Sequence, residues 1–416
     1  MGSVQKAFVM ESGERYCLLL DSSGLPSYYP NLYVTTQVRN RSLSFSAMES
    51  TLSGISVLGR FLDERGENLQ LRFNEGKFLD ESELDAIRDY CQIKFRSRTT
   101  KEDPNGIFTL DELQWSDEKV SSETEYARLT VIAKYLKWLA EQIIGLSKDR
   151  FSVLQIGKME KALKSRRPVK KSRNAEVDVK GLSGEQLDLL FELFRPESGF
   201  NPFKDKSIRV RNRLMFLMLY HLGLRGGELL NIRIRDMDFS SNQLIVARRA
   251  DEKDDPRRDQ PLVKTLDRRL PLKDTLAKEI HDYIIGVRRL VANSTKNDFL
   301  FVTHKSGPTQ GQPLSKSAYK KIIGIVRKVS PNLFNLTGHQ LRHAWNEKFS
   351  EQMDSMDESP SEEQQEKIRS YLMGWREGSG TAATYNKRFI RKKANEAAMK
   401  LQEGMVRLPK GMKNES

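Results

Sequence analysis

The sequence predicts a mainly α-helical protein with a small antiparallel sheet. Apolar residues recur at helical spacing along most of the chain, and strand-like runs are few, short and close to turns. The 416 residues exceed one ordinary core. Since a domain averages about 150 residues, we expect two or three domains.

The first half of the chain changes from extended to helical spacing. A hairpin of residues 6–10 and 16–20 is predicted within residues 1–40, which read as extended. Helical spacing begins at Ser46 and runs to a stop near Gly66. Two further helices are predicted over residues 80–95 and 124–144.

Residues 157–174 are the plainest boundary in the chain. Eight basic side chains in this stretch face one acid, Glu160. Like charges at this density resist packing, and they suit a linker that lies along phosphates. A solvated linker without a partner is the alternative.

The second half returns to helices around a small sheet. Ser183 predicts a helix start, and a buried helix over 209–222 ends at Gly223. Strands are predicted at 243–247 and 268–272, separated by a long polar hairpin. The remaining helices are predicted over residues 275–291, 315–329, 338–353, 362–373 and 386–405.

Charge and composition exclude several classes of protein. Lys and Arg number 70 against 56 Asp and Glu, and this formal charge of +14 favours a polyanionic partner. No apolar run is long enough for a membrane span, and we expect no signal peptide. Two cysteines exclude a disulfide framework and predict a reducing, cytoplasmic setting. Without a zinc motif or a P-loop, no metal and no other cofactor is predicted.

A first candidate site lies where the buried helix ends. Arg225 follows the Gly223-Leu224 turn, and Glu228 shares its helical face three residues later. A guanidinium that emerges where an apolar helix stops is held rigidly enough for bidentate phosphate contact. For this motif, the box of residues 223–228, a surface Arg–Glu pair is the alternative when the motif is taken alone.

A second box contains His339, Arg342 and His343. His339 and Arg342 are three residues apart at a helix start, which places a proton-transfer group and a cation on one face where anions are favoured. The alternative is a structural histidine beside a surface arginine. We assign His343 a structural role.

A third box places Tyr385 among small residues, with several cations after it. The small side chains of residues 381–384 leave its ring accessible. Tyr371, on a helix beside Leu372 and Met373, is predicted to lie in the core. Tyr385 is therefore the accessible tyrosine of the two, and a buried structural tyrosine is the alternative.

In this order the boxes resemble those of the tyrosine recombinase, or phage integrase, family. The family carries an arginine in a G-L-R-x-x-E box, a lysine on a β-hairpin, H-x-x-R, a His or Trp, and a nucleophilic tyrosine. The matching residues in this sequence are Arg225, Lys264, His339, Arg342, Trp375 and Tyr385. The resemblance is strong over residues 181–393 and weaker before them.

The sequence departs from the family pattern near the tyrosine and in the hairpin. Trp375 replaces the usual histidine, and one extra residue separates it from Tyr385. An insert in the hairpin leaves two lysines as candidates. Lys264 lies at about the family distance from the second strand, whereas Lys253 is surrounded by four acids that would make it a poor proton donor. Lys264 is preferred.

The resemblance implies a tyrosine-type site-specific recombinase, which cleaves and rejoins double-stranded DNA through a 3′-phosphotyrosyl intermediate. It further implies integration or excision of a mobile element by a homotetramer, with an accessory directionality factor, at the nucleoid and away from membranes. The helix over 315–329 could enter a major groove with its basic side chains, and a solvated basic helix is the alternative. Those side chains are Lys316, Lys320, Lys321, Arg327 and Lys328. The implied domains are an extension at 1–40, a helical core-binding domain at 41–156, a basic linker at 157–180, a catalytic domain at 181–393 and a tail helix at 394–416.

Two other functions stay open at this point. A type IB topoisomerase shares the Arg, Lys and Tyr chemistry, but the H-x-x-R box and the extra N-terminal helical domain disfavour it. A DNA-binding regulator that lost catalysis is the other, and the complete set of candidate residues argues against it.

Overall fold

The computed structural model describes residues 3–95, 118–145, 150–169, 181–358, 360–377 and 394–402. The chain divides into two compact units, residues 1–174 and 175–416, and each has its own hydrophobic core. Helices dominate both units, and the sheets are small and antiparallel, which confirms the predicted fold class. Within the described ranges, no helix has the length and apolarity that a membrane crossing requires.

The first unit is a set of helices preceded by a β-hairpin. Strand β1 (Val4–Val9) pairs with β2 (Arg15–Leu20) across the predicted turn. The helices are α1 (Tyr28–Tyr33), α2 (Phe45–Arg65), α3 (Leu69–Asn74), α4 (Glu81–Cys91), α5 (Ser122–Ile144) and α6 (Arg150–Ser165). Helix α2 ends at Gly66, as predicted, because this residue adopts the left-handed conformation that stops a helix.

The prediction of extended structure is wrong over residues 28–39. Helix α1 continues there as π-helix to Arg39, because Tyr33 is buried against α5. The ring of Tyr33 packs edge to face on Tyr135 and Trp138, at centroid distances of 5.3 and 5.1 Å. The hairpin and α1 thus share one core with the helices after them, and the core runs unbroken across the predicted boundary.

The prediction of a basic linker is wrong in its first half, because residues 157–165 belong to α6. Helix α6 packs along α5 and buries Ile156, Met159 and Leu163. Its acid, Glu160, pairs with Lys164 at 2.5 Å and with Lys137 of α5 at 3.1 Å. Residues 170–180, the second half of the predicted linker, lie outside the described residues.

The second unit packs helices around a three-stranded sheet. The strands are β3 (Met237–Asp238), β4 (Gln243–Val246) and β5 (Arg268–Pro271), antiparallel in that order. The helices are α7 (Gly184–Phe194), α8 (Lys206–Leu222), α9 (Gly226–Asn231), α10 (Asp274–Tyr283), α11 (Lys316–Arg327), α12 (Gly338–Asp354) and α13 (Glu362–Met373).

The turn after α8 places the first candidate box next to α12 and α13. Gly223 ends α8 with a φ of 60°, in the left-handed region. A Cβ atom at this position would lie 2.7 Å from Cε of Met373 and 3.0 Å from the ring of Trp345. Both the backbone conformation and this close packing therefore require glycine.

The predicted C-terminal helix over residues 386–405 is described only in part. Residues 394–402 are helical, and each of them is exposed to solvent. The outcome for the rest of this predicted helix lies outside the described residues.

Candidate active site

A buried carboxylate, Glu228 of α9, forms the centre of the candidate site. It accepts hydrogen bonds from Nη2 of Arg268 at 2.8 Å and from the hydroxyl of Thr265 at 2.9 Å. Nη1 of Arg225 lies 3.4 Å from its Oε1, and Nη1 of Arg342 lies 3.7 Å from its Oε2. One side chain therefore gathers two of the predicted arginines, which are 117 residues apart in the sequence (342 less 225).

The charges around Glu228 keep its carboxyl group ionised. Burial opposes ionisation and is the largest single influence on this group. The opposing charges of Arg268 and Arg342, with the hydrogen bond from Arg268, outweigh it and lower the pKa of Glu228 below its usual value. The site thus contains a fixed negative charge that orients guanidinium groups.

Arg342 is completely buried, which contradicts the alternative of a surface arginine for this box. Its Nη1 donates to the carbonyl of Gly223 at 2.6 Å, and its Nη2 donates to the carbonyl of Met373 at 2.9 Å. The guanidinium also lies over the ring of Trp375, 5.4 Å from the ring centroid. Arg342 therefore holds the Arg225 turn and the end of α13 together.

Arg225 is the more accessible of the two predicted arginines. Its side chain is 26% exposed, and its backbone N–H donates to Glu228 at 3.1 Å. Because Glu228 contacts it from the buried side, the rest of the guanidinium faces outward. An oxyanion at the surface of this unit would meet Arg225 first.

The structure places Lys264 beside the site, and its choice over Lys253 stays a prediction. Lys264 is exposed, and its neighbour Thr265 contacts Glu228 directly. Lys253 is exposed too, and two of the four acids near it in the sequence form ion pairs with arginines. Those acids are Glu252, which pairs with Arg233 and Arg235, and Asp255, which pairs with Arg257.

His339 lies in the first turn of α12 and is exposed. Its ring meets the ring of His343 edge to face, at a centroid distance of 4.8 Å. This contact agrees with a structural role for His343, which orients the exposed histidine. His339 and Arg342 thus start from one helix face, but one side chain reaches solvent and the other is buried.

The two candidate tyrosines have different outcomes. Tyr385 lies outside the described residues, so its selection as nucleophile stays a prediction. The prediction that Tyr371 lies in the core is wrong, because its side chain is 61% exposed. Helix α13 buries the face that carries Arg369, Ser370 and Met373, and Tyr371 projects from the other side.

A comparison with protein families matches residues 184–358 to the phage integrase family. This range includes the box of Arg225, the hairpin lysine and the H-x-x-R box. Residues 184–358 therefore form a domain of the phage integrase family of tyrosine recombinases.

Individual relatives in this family are distant. The tyrosine recombinase XerA of Pyrococcus horikoshii is 26% identical over 211 residues, which cover 50% of this chain and 63% of that protein. XerA of Pyrococcus furiosus is 30% identical over 167 residues, covering 40% and 46%. The chain thus spans about half the length of these curated relatives. A crystal structure of XerA recombinase is similar at 16% identity and a TM-score of 0.35, covering 89% of this chain and 97% of that one.

Two residues of this candidate site, Arg268 and Thr265, were not predicted from the sequence. Both are buried, and both contact Glu228. A signal for Arg268 exists in the strand pattern, because it alternates with buried Leu270 in β5. No local pattern marks Thr265, since its role depends on a contact with a residue 37 positions away.

Helix α11, the predicted groove-binding helix, presents part of its basic charge to solvent. Lys320, Lys321 and Lys328 are exposed. Lys316 pairs with Asp259 at 2.5 Å, and Arg327 donates to the carbonyl of Leu336. Three of the five basic side chains of residues 315–329 are therefore exposed and available to an anionic partner.

Proposed function

We propose that this protein is a site-specific DNA recombinase that cleaves and rejoins double-stranded DNA through a 3′-phosphotyrosyl intermediate, with Tyr385 as the nucleophile. The observation that carries this proposal is the convergence on Glu228. Arg225 and Arg342 meet there, beside the turn of Lys264 and the ring of Trp375. Family membership supports the same chemistry.

In this mechanism the phenolic oxygen of Tyr385 forms a bond to the scissile phosphorus, and the bond from phosphorus to the 5′-oxygen breaks. His339 assists removal of the phenolic proton, and Lys264 gives a proton to the departing oxygen. Attack by a 5′-hydroxyl reverses both steps and frees the tyrosine. The phosphotyrosine conserves the bond energy, so this mechanism uses neither ATP nor a metal ion.

Arg225 and Arg342 stabilise the negative charge of the phosphate from different depths in the site. Arg225 contacts a non-bridging oxygen of the phosphate directly, because its side chain reaches the surface. Arg342 acts from beneath by its charge and by its bond to the carbonyl of Gly223, which holds the turn that carries Arg225. Trp375 supports Arg342 through its ring face.

We propose double-stranded DNA as the partner and a homotetramer on two sites as the active assembly. The formal charge of +14 and the exposed lysines of α11 support a DNA partner. The tetramer, the accessory directionality factor and the integration or excision of a mobile element follow from the family resemblance. Recombination is preferred to topoisomerase activity because H-x-x-R is present and an N-terminal helical unit precedes the matched region.

The nucleophile can be tested by covalent trapping on nicked DNA cloned from the flanks of the gene. We expect Tyr385→Phe to bind this DNA as tightly as the wild type but to form no SDS-resistant adduct. Tyr371→Phe is the matched control, since this exposed tyrosine is the nearest alternative in the described part of the chain.

Loss of the adduct in Tyr371→Phe but not in Tyr385→Phe would contradict the assignment. Recombination between two sites on one plasmid distinguishes a recombinase from a topoisomerase, which only relaxes supercoils. A wild-type protein that binds DNA but forms no adduct would be a regulator.

A further inference from the structure

Arg268 of β5 joins three segments of the candidate site through one buried guanidinium. Its Nη2 donates to Glu228 at 2.8 Å, and its Nη1 donates to the hydroxyl of Thr265 at 3.0 Å. Its Nε donates to the carbonyl of Leu372, at the end of α13, at 2.7 Å. The side chain is almost completely buried. A buried guanidinium bound on each of its three nitrogens is fixed in position and orientation.

A second contact joins the same segments. The backbone N–H of Leu266 donates to the carbonyl of Gly374 at 2.9 Å. A Cβ at Gly374, whose φ is 66°, would lie 2.8 Å from the carbonyl oxygen of Leu266 and 2.9 Å from Nη1 of Arg268. The chain after Lys264 is therefore packed directly on the residue before Trp375.

Thr265 transmits this arrangement to Lys264. Its hydroxyl accepts from Arg268 and donates to Glu228, so both of its hydrogen-bonding functions are used inside the site. Lys264 is the adjacent residue and is exposed. Its backbone position is consequently set by Thr265, while its side chain is left free to reach a bound substrate.

We propose that Arg268 is a positioning residue that fixes the general acid Lys264 relative to the scissile phosphate, acting through Thr265 and the end of α13. This inference rests on the proposed function. Arg268 does not touch the reacting atoms, because it is buried beneath Thr265 and Glu228. It determines where the proton of Lys264 is delivered.

A lysine cannot replace Arg268 in this role. A single ammonium can compensate the charge of Glu228, but it lacks the planar fork that reaches Glu228, Thr265 and Leu372 together. Arg268→Lys should therefore retain the charge of the site and lose the geometry of the Lys264 turn. Since misplacement of a reacting group by about 1 Å can cost about 100-fold in rate, we expect a loss of this order.

The test measures single-turnover cleavage of two nicked DNA substrates. One has the natural 5′-oxygen at the cleavage site, and the other has a 5′-bridging sulfur, which leaves as a thiolate without protonation. We expect Arg268→Lys and Thr265→Val to bind DNA normally, to cleave the oxygen substrate about 100-fold more slowly, and to recover most of this loss on the sulfur substrate. Thr265→Ser, which keeps the hydroxyl, should recover most of the rate that Thr265→Val loses on the oxygen substrate.

Arg269→Lys is the matched control, because Arg269 is the next residue of β5 and is exposed. It should leave both rates unchanged. Lys264→Ala is the reference for sulfur rescue, and adding Arg268→Lys to it should cause little further loss on the oxygen substrate. Thr265→Val decides the outcome if Arg268→Lys does not fold, as judged by circular dichroism.

Wild-type rates in Arg268→Lys, or equal losses on oxygen and sulfur, would overturn the positioning role. Either result leaves the proposed function intact, provided that the wild type forms its adduct. Absence of an adduct from the wild type on both substrates would instead contradict the proposed function itself.

Discussion

At the scale of single residues, the site is a cluster of three guanidinium groups around one carboxylate. Arg225, Arg268 and Arg342 all lie within 3.7 Å of Glu228. Within this cluster positive charge exceeds negative charge, and Arg225 is the member that reaches the surface. Under the proposed function, a phosphate at Arg225 would supply the missing negative charge, while Glu228 compensates part of the charge of the buried arginines.

Glu228→Gln is expected to destabilise the second unit by about 3–5 kcal/mol, because it leaves buried arginines without their charged partner. The substitution keeps the size of the side chain, so the loss measures charge and not volume. Hydrogen exchange in peptides of the second unit would measure this loss of stability. Unchanged protection there would show that the arginines do not depend on Glu228.

The contribution of Glu228 to stability should vary with pH in a defined direction. Because its folded pKa is lowered, the stabilisation is complete above the unfolded pKa of about 4.3 and declines as the pH falls through the folded value. The difference between the wild type and Glu228→Gln in free energy of unfolding should therefore narrow below about pH 4. A difference that widens in acid would contradict the ionised state.

At the scale of elements, α6 shows how a strongly basic segment becomes part of a core. Its cations lie on the faces turned away from α5 or pair with acids, as Arg166 just after the helix does with Asp85 at 2.8 Å. Meanwhile one residue per turn enters the core of the first unit. Charge density along the chain therefore did not prevent packing, because helical geometry separated the cations from the apolar side.

We expect Leu163→Ala in α6 to destabilise the first unit by about 2–5 kcal/mol, the usual cost of a cavity at a buried leucine. Leu154→Ala is the matched control in the same helix. Its side chain is 56% exposed, and a surface change of this kind stays within about 0.5 kcal/mol. Hydrogen exchange in the first unit measures the stability change of both variants. Equally small changes would favour the linker interpretation of this segment.

At the scale of the whole molecule, the described part of the C-terminal helix, residues 394–402, is exposed to solvent. The sequence predicts one narrow apolar face, which must dock to be stable in water. Its residues are Ala394, Ala397, Ala398, Leu401 and Met405. This helix face can dock on the second unit of its own chain or on a neighbouring protomer. Residues 394–402 are exposed in this structure of a single chain, and both outcomes stay predictions.

Removal of the chain after Lys393 is expected to leave binding to a single DNA site nearly unchanged and to weaken assembly on paired sites. Leu401→Asp should reproduce this effect, whereas Gln402→Asp, at the adjacent position, should not. Band shifts with one-site and two-site DNA measure both steps. A truncated protein that forms the paired complex at the wild-type concentration would exclude a tail that docks in trans.

The sequence by itself determined many of the helices, although not α1 or α6, and it identified the boxes. The ends of α2 and α13 and the start of α7 were predictable because caps, left-handed glycines and apolar spacing act within a few residues of the chain. Order and spacing were sufficient to indicate the family, and five boxes are more specific than any one of them.

Only the tertiary structure decided which of these residues are buried and what they touch. Helical spacing could not show that Arg342 is covered while Tyr371 is exposed, because that depends on which helix faces meet. Arg268 and Thr265 escaped notice for the same reason, since their partners lie 40 and 37 residues away. Local forces set the elements, whereas desolvation and pairing of charges between distant segments determined the site.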